Sequence, residues 1–170
     1  YILGYSYSGS TLLGGLLASS KWIFNAGEVK EFYLVQEHGG ELCSCGSNTL
    51  RCDFWSQIYR ERYSLFRNTQ WIEKLAITLR IVCGRKIRVS RRGAIHQDLE
   101  FFQRVQQAAK VTGHQAYFLL DNSKTLWRLN YLLGYPELEI KTVLINRGIF
   151  GNVASCVKHG DGFIKGLLSY

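Results

Sequence analysis

Close to its amino end, the chain has a segment rich in glycine and hydroxyl side chains that suits anion binding. Gly4 and Gly9 are separated by four residues and Thr11 follows, which is the spacing of nucleotide phosphate loops. The glycines permit a tight turn whose backbone N–H groups face one anion, and a following helix adds its positive end. Ser8 and Ser10 supply further hydroxyl donors. This segment, residues 4–11, is called the glycine loop below, and it predicts a phosphate site.

The glycine loop departs from nucleoside triphosphatases at one position. Ser10 stands where those proteins have the lysine that reaches the distal phosphates of ATP or GTP. We therefore expect the loop to hold a phosphate but to be poorly suited to triphosphate hydrolysis. A plain Gly/Ser turn between a strand and a helix is the simpler alternative, because such turns are common.

A second pair of anion-binding residues follows a later apolar segment. Residues 140–145 have the pattern of a buried strand, Arg147 comes soon after it, and Ser155 is eight residues further on. A helix from residue 149 would carry Ser155 to its second turn. The guanidinium and the hydroxyl could then hold a second phosphate together.

With these two motifs the chain resembles the sulfotransferases that use 3′-phosphoadenosine 5′-phosphosulfate (PAPS). In that family a loop of the form G-x-x-[KR]-S-G-[ST]-T-L-L binds the 5′-phosphosulfate, and a strand-end R-D-P-R-x-x-x-x-S binds the 3′-phosphate. Three further segments resemble the bacterial-type branch: Asn25–Glu28, the cysteine-bearing stretch 43–55, and Asp121–Lys124. The resemblance implies that PAPS is the co-substrate and that its sulfuryl group passes to a hydroxyl acceptor, namely a small molecule, a glycan or a lipid.

The resemblance also implies a role for each site residue. The residues expected to bind the co-substrate are Tyr7, Ser8, Gly9, Ser10, Thr11, Leu12, Arg147 and Ser155. Glu28 is the candidate base for the acceptor's proton, with a histidine as the fallback, and Lys124 is the candidate cation at the leaving oxygen. No metal is required. The chain departs from the family at Tyr7, usually Lys or Arg, and at residues 148–150, which replace D-P-R.

Hydrophobic patterns predict an α/β fold. Apolar runs indicate strands at 1–5, 116–120 and 140–145, and three- and four-residue spacings indicate helices at 11–17, 54–65, 71–82, 98–111, 125–133 and 149–158. Repeated strand, loop and helix units are typical of a parallel sheet covered by helices. We therefore expect a single domain over residues 1–170, a three-layer P-loop-like fold with a central parallel sheet flanked by helices and a mostly helical excursion around 53–112.

Composition narrows the range of partners. The 170 residues are 46% hydrophobic with a formal net charge of +8, which favours anionic partners. No apolar run reaches the roughly 18 residues of a membrane-spanning helix. The basic cluster at 85–92 lacks the ordered aromatic and basic array of a nucleic-acid fold, so nucleic acid is not an expected partner. The bacterial branch that the chain resembles suggests a cytoplasmic location.

Two other function classes stay open. One is a P-loop kinase or NTPase, for which Asp121 is the only candidate metal-binding acid. The other is a non-catalytic nucleotide-binding or interaction domain, favoured because Tyr7 and Phe150 stand where the family has basic residues. Magnesium-dependent ATP turnover would distinguish the first, and nucleotide binding without sulfation would distinguish the second.

The cysteines allow three interpretations. His38, Cys43, Cys45 and Cys52 could bind zinc, although their spacing lacks the paired C-x2-C units typical of zinc sites. A Cys43–Cys52 or Cys45–Cys52 disulfide could form in an oxidising compartment. Ordinary reduced cysteines, with no metal, are the default expectation.

Overall fold

The structure, a computed structural model, describes residues 1–29, 39–43, 45–58, 79, 83, 95–113, 115 and 117–164. Its elements in chain order are β1 (Ile2–Gly4), α1 (Ser10–Ala18), β2 (Ile23–Asn25), α2 (Trp55–Ile58), α3 (Ile95–Val111), β3 (Phe118–Leu120), α4 (Leu126–Leu132), β4 (Val143–Ile145) and α5 (Ile149–Lys158). The helix expected at 71–82, the later part of that expected at 54–65, the basic cluster and His38 lie outside the described residues.

The strands form two parallel pairs. β1 pairs with β4, with Ile2 opposite Val143, and β2 pairs with β3, with Ile23 opposite Phe118. Helix α1 packs against β1 and β2, and α3 packs against α2. The expected mixed α/β class is thus confirmed as small parallel two-stranded sheets packed against helices. β2 was not predicted from the sequence, because the apolar run that contains it covers only residues 22–24, shorter than the runs that indicate the other three strands.

The segment after β3 runs between the two strand pairs. On one side, the Asn122 N–H donates to the Gly27 carbonyl oxygen at 2.8 Å. On the other, the Ile2 N–H donates to the backbone carbonyl oxygen of Asp121 at 2.9 Å, and the Gly4 N–H donates to that of Lys124 at 3.2 Å. These bonds hold residues 121–124 beside β1 and bring Lys124 to the glycine loop.

A buried ion pair fixes that segment. Arg128 Nε donates to Asp121 Oδ2 at 2.8 Å, and the two side chains are 0% and 5% exposed. The other carboxylate oxygen accepts the Ser123 N–H at 2.9 Å. Separating such a pair would leave a buried charge with neither a partner nor water around it, which is strongly unfavourable. The pair therefore constrains the position of residues 121–124.

Two apolar clusters pack against α3. In the first, the α3 residues Phe101, Val105 and Ala108 share one helix face at three- and four-residue spacing. They contact Ala26, Val29 and Ile58, and so anchor the chain beyond β2. The second cluster contains Tyr1, Leu129, Leu132 and Tyr135, and Phe102 of α3 packs against both clusters. None of the described helices is long and apolar enough to cross a membrane.

Candidate functional site

The glycine loop connects β1 to α1 through two residues with left-handed backbone. Tyr7 has φ +60° and Gly9, the N-cap of α1, has φ +94°. Gly4 is needed for a different reason, because a Cβ there would lie 2.6 Å from Ile145 Cγ2 on the neighbouring strand. The first N–H groups of α1 have no partner within the helix, as at every helix start. The loop therefore combines a tight turn with a helix end that favours an anion.

Arg147 joins the glycine loop to α5. Its Nη1 donates to the Tyr7 carbonyl oxygen at 3.1 Å and to Ser155 Oγ at 2.8 Å. Tyr7 and Arg147 are 140 residues apart in the chain, and they meet because β1 and β4 are neighbours. The pair expected from the eight-residue spacing, Arg147 with Ser155, is thus brought together and lies directly beside the loop.

Glu28 and Lys124 also meet. Lys124 Nζ donates to Glu28 Oε1, forming an ion pair with side chains 15% and 35% exposed, respectively. Glu28 follows β2 and Lys124 follows β3, so parallel pairing of these strands aligns the two residues at the same sheet edge. Lys124 has φ +65°, a conformation that is uncommon for a residue with a side chain. The carboxylate and the ammonium group can therefore act at one place.

All of these groups surround one cavity of about 530 Å³, called the polar cavity below. Its lining residues are Ser6, Tyr7, Gly9, Ser10, Thr11, Leu12, Glu28, Lys124, Arg147, Ser155 and His159. Among the residues predicted from the sequence, Ser8 alone does not line it. Ser8 is 7% exposed, and its Oγ has no hydrogen-bond partner among the described residues. The polar cavity thus offers two cations, one carboxylate and several hydroxyl groups.

The Tyr7 side chain is engaged by the segment after α5. Its hydroxyl donates to Asp161 Oδ2 at 2.7 Å, and this bond raises the pKa of Tyr7 above its ordinary value. Its ring stacks on His159, with centroids 4.8 Å apart and an interplanar angle of 5°. The hydroxyl of Tyr7 is therefore already engaged and does not replace the basic residue found at this position in the family that the sequence resembles. Tyr7 contributes its backbone carbonyl and its ring instead.

Sequence reasoning missed the place of His159 in this site. The sequence offers a histidine only as the fallback base, and no ligand spacing or partner favours one of the four. His159 is four residues after Ser155, and residues four apart share one face of a helix. That spacing was the available signal. The contact with Tyr7, by contrast, depends on the path of the chain beyond α5 and has no local signature.

Asp121 lies away from the polar cavity. It lines a second, mainly apolar cavity of about 670 Å³ beside α3, and the two cavities share no lining residue. Both of its carboxylate oxygens already accept hydrogen bonds, from Arg128 and from the Ser123 N–H. This arrangement favours a structural role over the metal-binding role that a P-loop kinase or NTPase would require.

Three thiols form a separate group, called the cysteine group below: Cys43, Cys45 and Cys52. The Sγ of Cys52 lies 3.6 Å from that of Cys45 and 3.7 Å from that of Cys43. These distances are too long for a disulfide bond, and no disulfide joins Cys43, Cys45 and Cys52. The Ser47 backbone N–H lowers the pKa of Cys45 to about 7, whereas burial raises the pKa of Cys52. The sequence left zinc, disulfide and plain thiols open and did not predict this proximity.

Comparison of the chain with protein-family models, with curated proteins and with solved structures finds no match. A functional conclusion for this chain must therefore depend on the residues around the polar cavity and on the family motifs they resemble. Two cationic side chains, Lys124 and Arg147, line the polar cavity, and each follows a different strand. They are the strongest indication that the cavity suits an anionic ligand.

Proposed function

We propose that the chain is a PAPS-dependent sulfotransferase that moves a sulfuryl group to a hydroxyl acceptor. The observation that carries the proposal is the position of Arg147, whose guanidinium contacts both the glycine loop and Ser155 at one cavity. A nucleotide with phosphates on both its 5′ and 3′ positions requires two anion sites close together. The glycine loop and the Arg147–Ser155 pair supply them.

We also propose that the described strands belong to one central parallel sheet in the order β2, β3, β1, β4. The backbone bonds of residues 121–124 to β1 support this order, because they continue β3 along the free side of β1. Ligands of open parallel sheets bind beyond the carboxyl ends of the strands. Glu28, Lys124 and Arg147 follow three of these ends and the glycine loop follows the fourth.

The donors around the polar cavity suit the nucleotide. The amino end of α1 and the hydroxyls of Ser10 and Thr11 would hold the 5′-phosphosulfate, and Arg147 with Ser155 would hold the 3′-phosphate. The volume of about 530 Å³ is within the usual range for ligand cavities.

The chemistry assigns different roles to Glu28 and Lys124. In sulfuryl transfer, the bond between sulfur and the phosphate oxygen breaks, a bond from sulfur to the acceptor oxygen forms, and the electron pair stays on the phosphate. Glu28 takes the proton from the acceptor hydroxyl. Lys124 offsets the charge that accumulates on the leaving oxygen. Their ion pair holds both groups at the same wall of the cavity.

A non-catalytic nucleotide-binding domain is the second candidate. It is favoured by one observation, the bond from the Tyr7 hydroxyl to Asp161. Tyr7 stands where the family has a cation, and because its hydroxyl is bound to Asp161 it does not take over that role at the leaving phosphate. Both candidates require the bisphosphate site. Only the enzyme requires Glu28 to take up a proton.

Calorimetric titration with adenosine 3′,5′-bisphosphate, with ADP and ATP as controls, tests the binding site. We expect the bisphosphate to bind much more tightly than ADP, and Arg147→Ala to weaken its binding about 10- to 100-fold, because charged hydrogen bonds contribute about 1.5–3 kcal/mol. Lys158→Ala is the matched control, since it removes one positive charge from α5 outside the cavity. ATP binding as tight as that of the bisphosphate would favour a P-loop kinase instead.

Transfer of radiolabelled sulfate from PAPS to a panel of phenols, sugars and hydroxylated lipids tests catalysis. For any acceptor that is sulfated, Glu28→Gln should lower kcat about 100-fold or more while bisphosphate affinity changes less than about threefold. Binding without sulfation of any acceptor would favour the non-catalytic domain. Unchanged turnover in Glu28→Gln would remove Glu28 as the base.

A further inference from the structure

We propose that the three Sγ atoms of the cysteine group bind one zinc ion. All three Sγ atoms lie within 4.8 Å of one another. Zinc–thiolate bonds are about 2.3 Å long, so two thiolates of a tetrahedral site are about 3.8 Å apart. The observed 3.6 Å and 3.7 Å separations match that edge and far exceed the roughly 2.0 Å of a disulfide bond.

The backbone around Cys43 and Cys45 forms a turn that aims both side chains to one side. The Gly46 N–H donates to the Cys43 carbonyl oxygen at 2.9 Å, and the Cys43 N–H donates to the Ser47 oxygen at 2.8 Å. Gly46 has φ +85°, so a residue with a side chain would strain this turn. An antiparallel bridge between Leu42 and Asn48 closes the turn at its base.

Cys52 comes to the same point from the start of α2. Its carbonyl oxygen accepts the Ser56 N–H at 2.8 Å, and its side chain is buried beneath the turn. The backbone N–H groups of Phe54 and Trp55 are directed at Cys52 Sγ, and that of Ser47 at Cys45 Sγ. Hydrogen bonds of this kind to thiolates orient metal ligands and stabilise their charge.

Sulfur ligands select the metal. Thiolates favour zinc over magnesium or calcium, which prefer oxygen ligands. The cysteine group supplies three of the four positions of a tetrahedral ion, and no other histidine, cysteine or carboxylate belongs to it among the described residues. Phe54 and Trp55, which follow Cys52 in the chain, pack against Phe24 of β2. A zinc ion bound to the cysteine group would therefore connect the turn at residues 42–48 to β2. The role we infer is structural and does not depend on the sulfotransferase proposal.

Zinc content of the purified chain tests this site. Protein prepared under reducing conditions, exposed to zinc sulfate and then desalted should contain one zinc per chain by plasma mass spectrometry. Cys43→Ser, Cys45→Ser and Cys52→Ser should each lose it, whereas Cys83→Ser and Cys156→Ser, outside the group, should retain it. Cys45 is exposed, so its variant remains informative if the buried Cys52 variant fails to fold. Circular dichroism verifies that each variant is folded.

Cobalt substitution gives the ligand set. Bound Co²⁺ should show sulfur-to-cobalt charge transfer of three-thiolate intensity and the visible bands of a tetrahedral ion, and both should disappear in Cys45→Ser. Absence of zinc and of cobalt bands in fully reduced protein would overturn the proposal. So would equal metal loss in Cys83→Ser, or a disulfide between two members of the group in freshly prepared protein.

Discussion

The polar cavity and the cysteine group are assembled in opposite ways. The cavity collects residues from four strand ends, and the hydrogen bond from Arg147 to the Tyr7 carbonyl oxygen joins residues 140 positions apart in the chain. The three thiols span only nine positions, and two of them share one turn. A site of the first kind exists only when the strands are packed, whereas the second depends mainly on its own hairpin and on the start of α2. Substitutions in the strand region should therefore separate the two sites.

The largest effect is expected from Asp121→Asn. This change leaves the guanidinium of Arg128 charged and buried, which should lower the free energy of unfolding by about 3–5 kcal/mol. Because Lys124 belongs to the same segment, bisphosphate affinity should fall as well. Urea denaturation measures the first quantity and calorimetry the second.

The matched control for Asp121→Asn is Glu139→Gln. Glu139 pairs with Lys141 at the surface, where the two side chains are 82% and 75% exposed, and exposed pairs contribute little. No measurable loss of stability is expected there. Zinc content of Asp121→Asn should be normal at temperatures where the protein stays folded. Loss of zinc in the folded variant would contradict the independence of the two regions.

Gly14→Ala should have an intermediate effect. A Cβ at Gly14 would collide with Asn122 Nδ2 and lie 2.9 Å from Asn25 Nδ2, so α1 would be pushed away from the strand ends. We expect a loss of about 1–3 kcal/mol of stability by urea denaturation, together with weaker bisphosphate binding. Gly15→Ala is the control, since nothing lies within 4 Å of its added Cβ. It should raise stability by about 0.5–1 kcal/mol, because alanine favours a helix more than glycine does.

Ser155→Ala tests the second anion site with a smaller change. The hydroxyl accepts a bond from Arg147 at 2.8 Å, and a typical hydrogen bond contributes about 1 kcal/mol. Bisphosphate should therefore bind about fivefold more weakly by calorimetry, with stability unchanged. Affinity equal to that of the wild type would contradict the assignment of Ser155 to the second anion site.

The smallest effect concerns Cys45 in protein stripped of metal. Its pKa of about 7 makes half of the thiol ionised near pH 7, so alkylation by iodoacetamide should rise with pH around a midpoint near 7. At pH 7 the larger thiolate fraction raises the alkylation rate above that of an ordinary thiol. The net increase should be only about threefold, because each thiolate becomes less nucleophilic as its pKa falls. Mass spectrometry of labelled peptides measures this rate, with the exposed Cys83 as the reference. Slower labelling of Cys45 than of Cys83 at pH 7 would argue against the Ser47 hydrogen bond.

The polar cavity could be predicted from the sequence better than the cysteine group. Strand-end motifs mark Gly4, Lys124 and Arg147 in the sequence, because parallel strands bring their carboxyl ends to one edge. β2 left no such signal, because its apolar run covers only residues 22–24 and no candidate motif led to it. The hydrogen bond from Tyr7 to Asp161 also left none, because it depends on how the chain packs after α5. The short distances between the three Sγ atoms could not be predicted either, because a C-x-C spacing does not determine where a third cysteine packs against the turn.

The most direct measurement is the coupling between Arg147 and the 3′-phosphate. Affinities of wild type and Arg147→Ala are compared for adenosine 3′,5′-bisphosphate and for adenosine 5′-monophosphate. We expect loss of the 3′-phosphate to weaken binding at least about 10-fold in the wild type but less than about threefold in Arg147→Ala, because the variant already lacks the guanidinium that binds this phosphate. An equal loss in both proteins would contradict the assignment of Arg147 to the 3′-phosphate and, with it, the proposed sulfotransferase site.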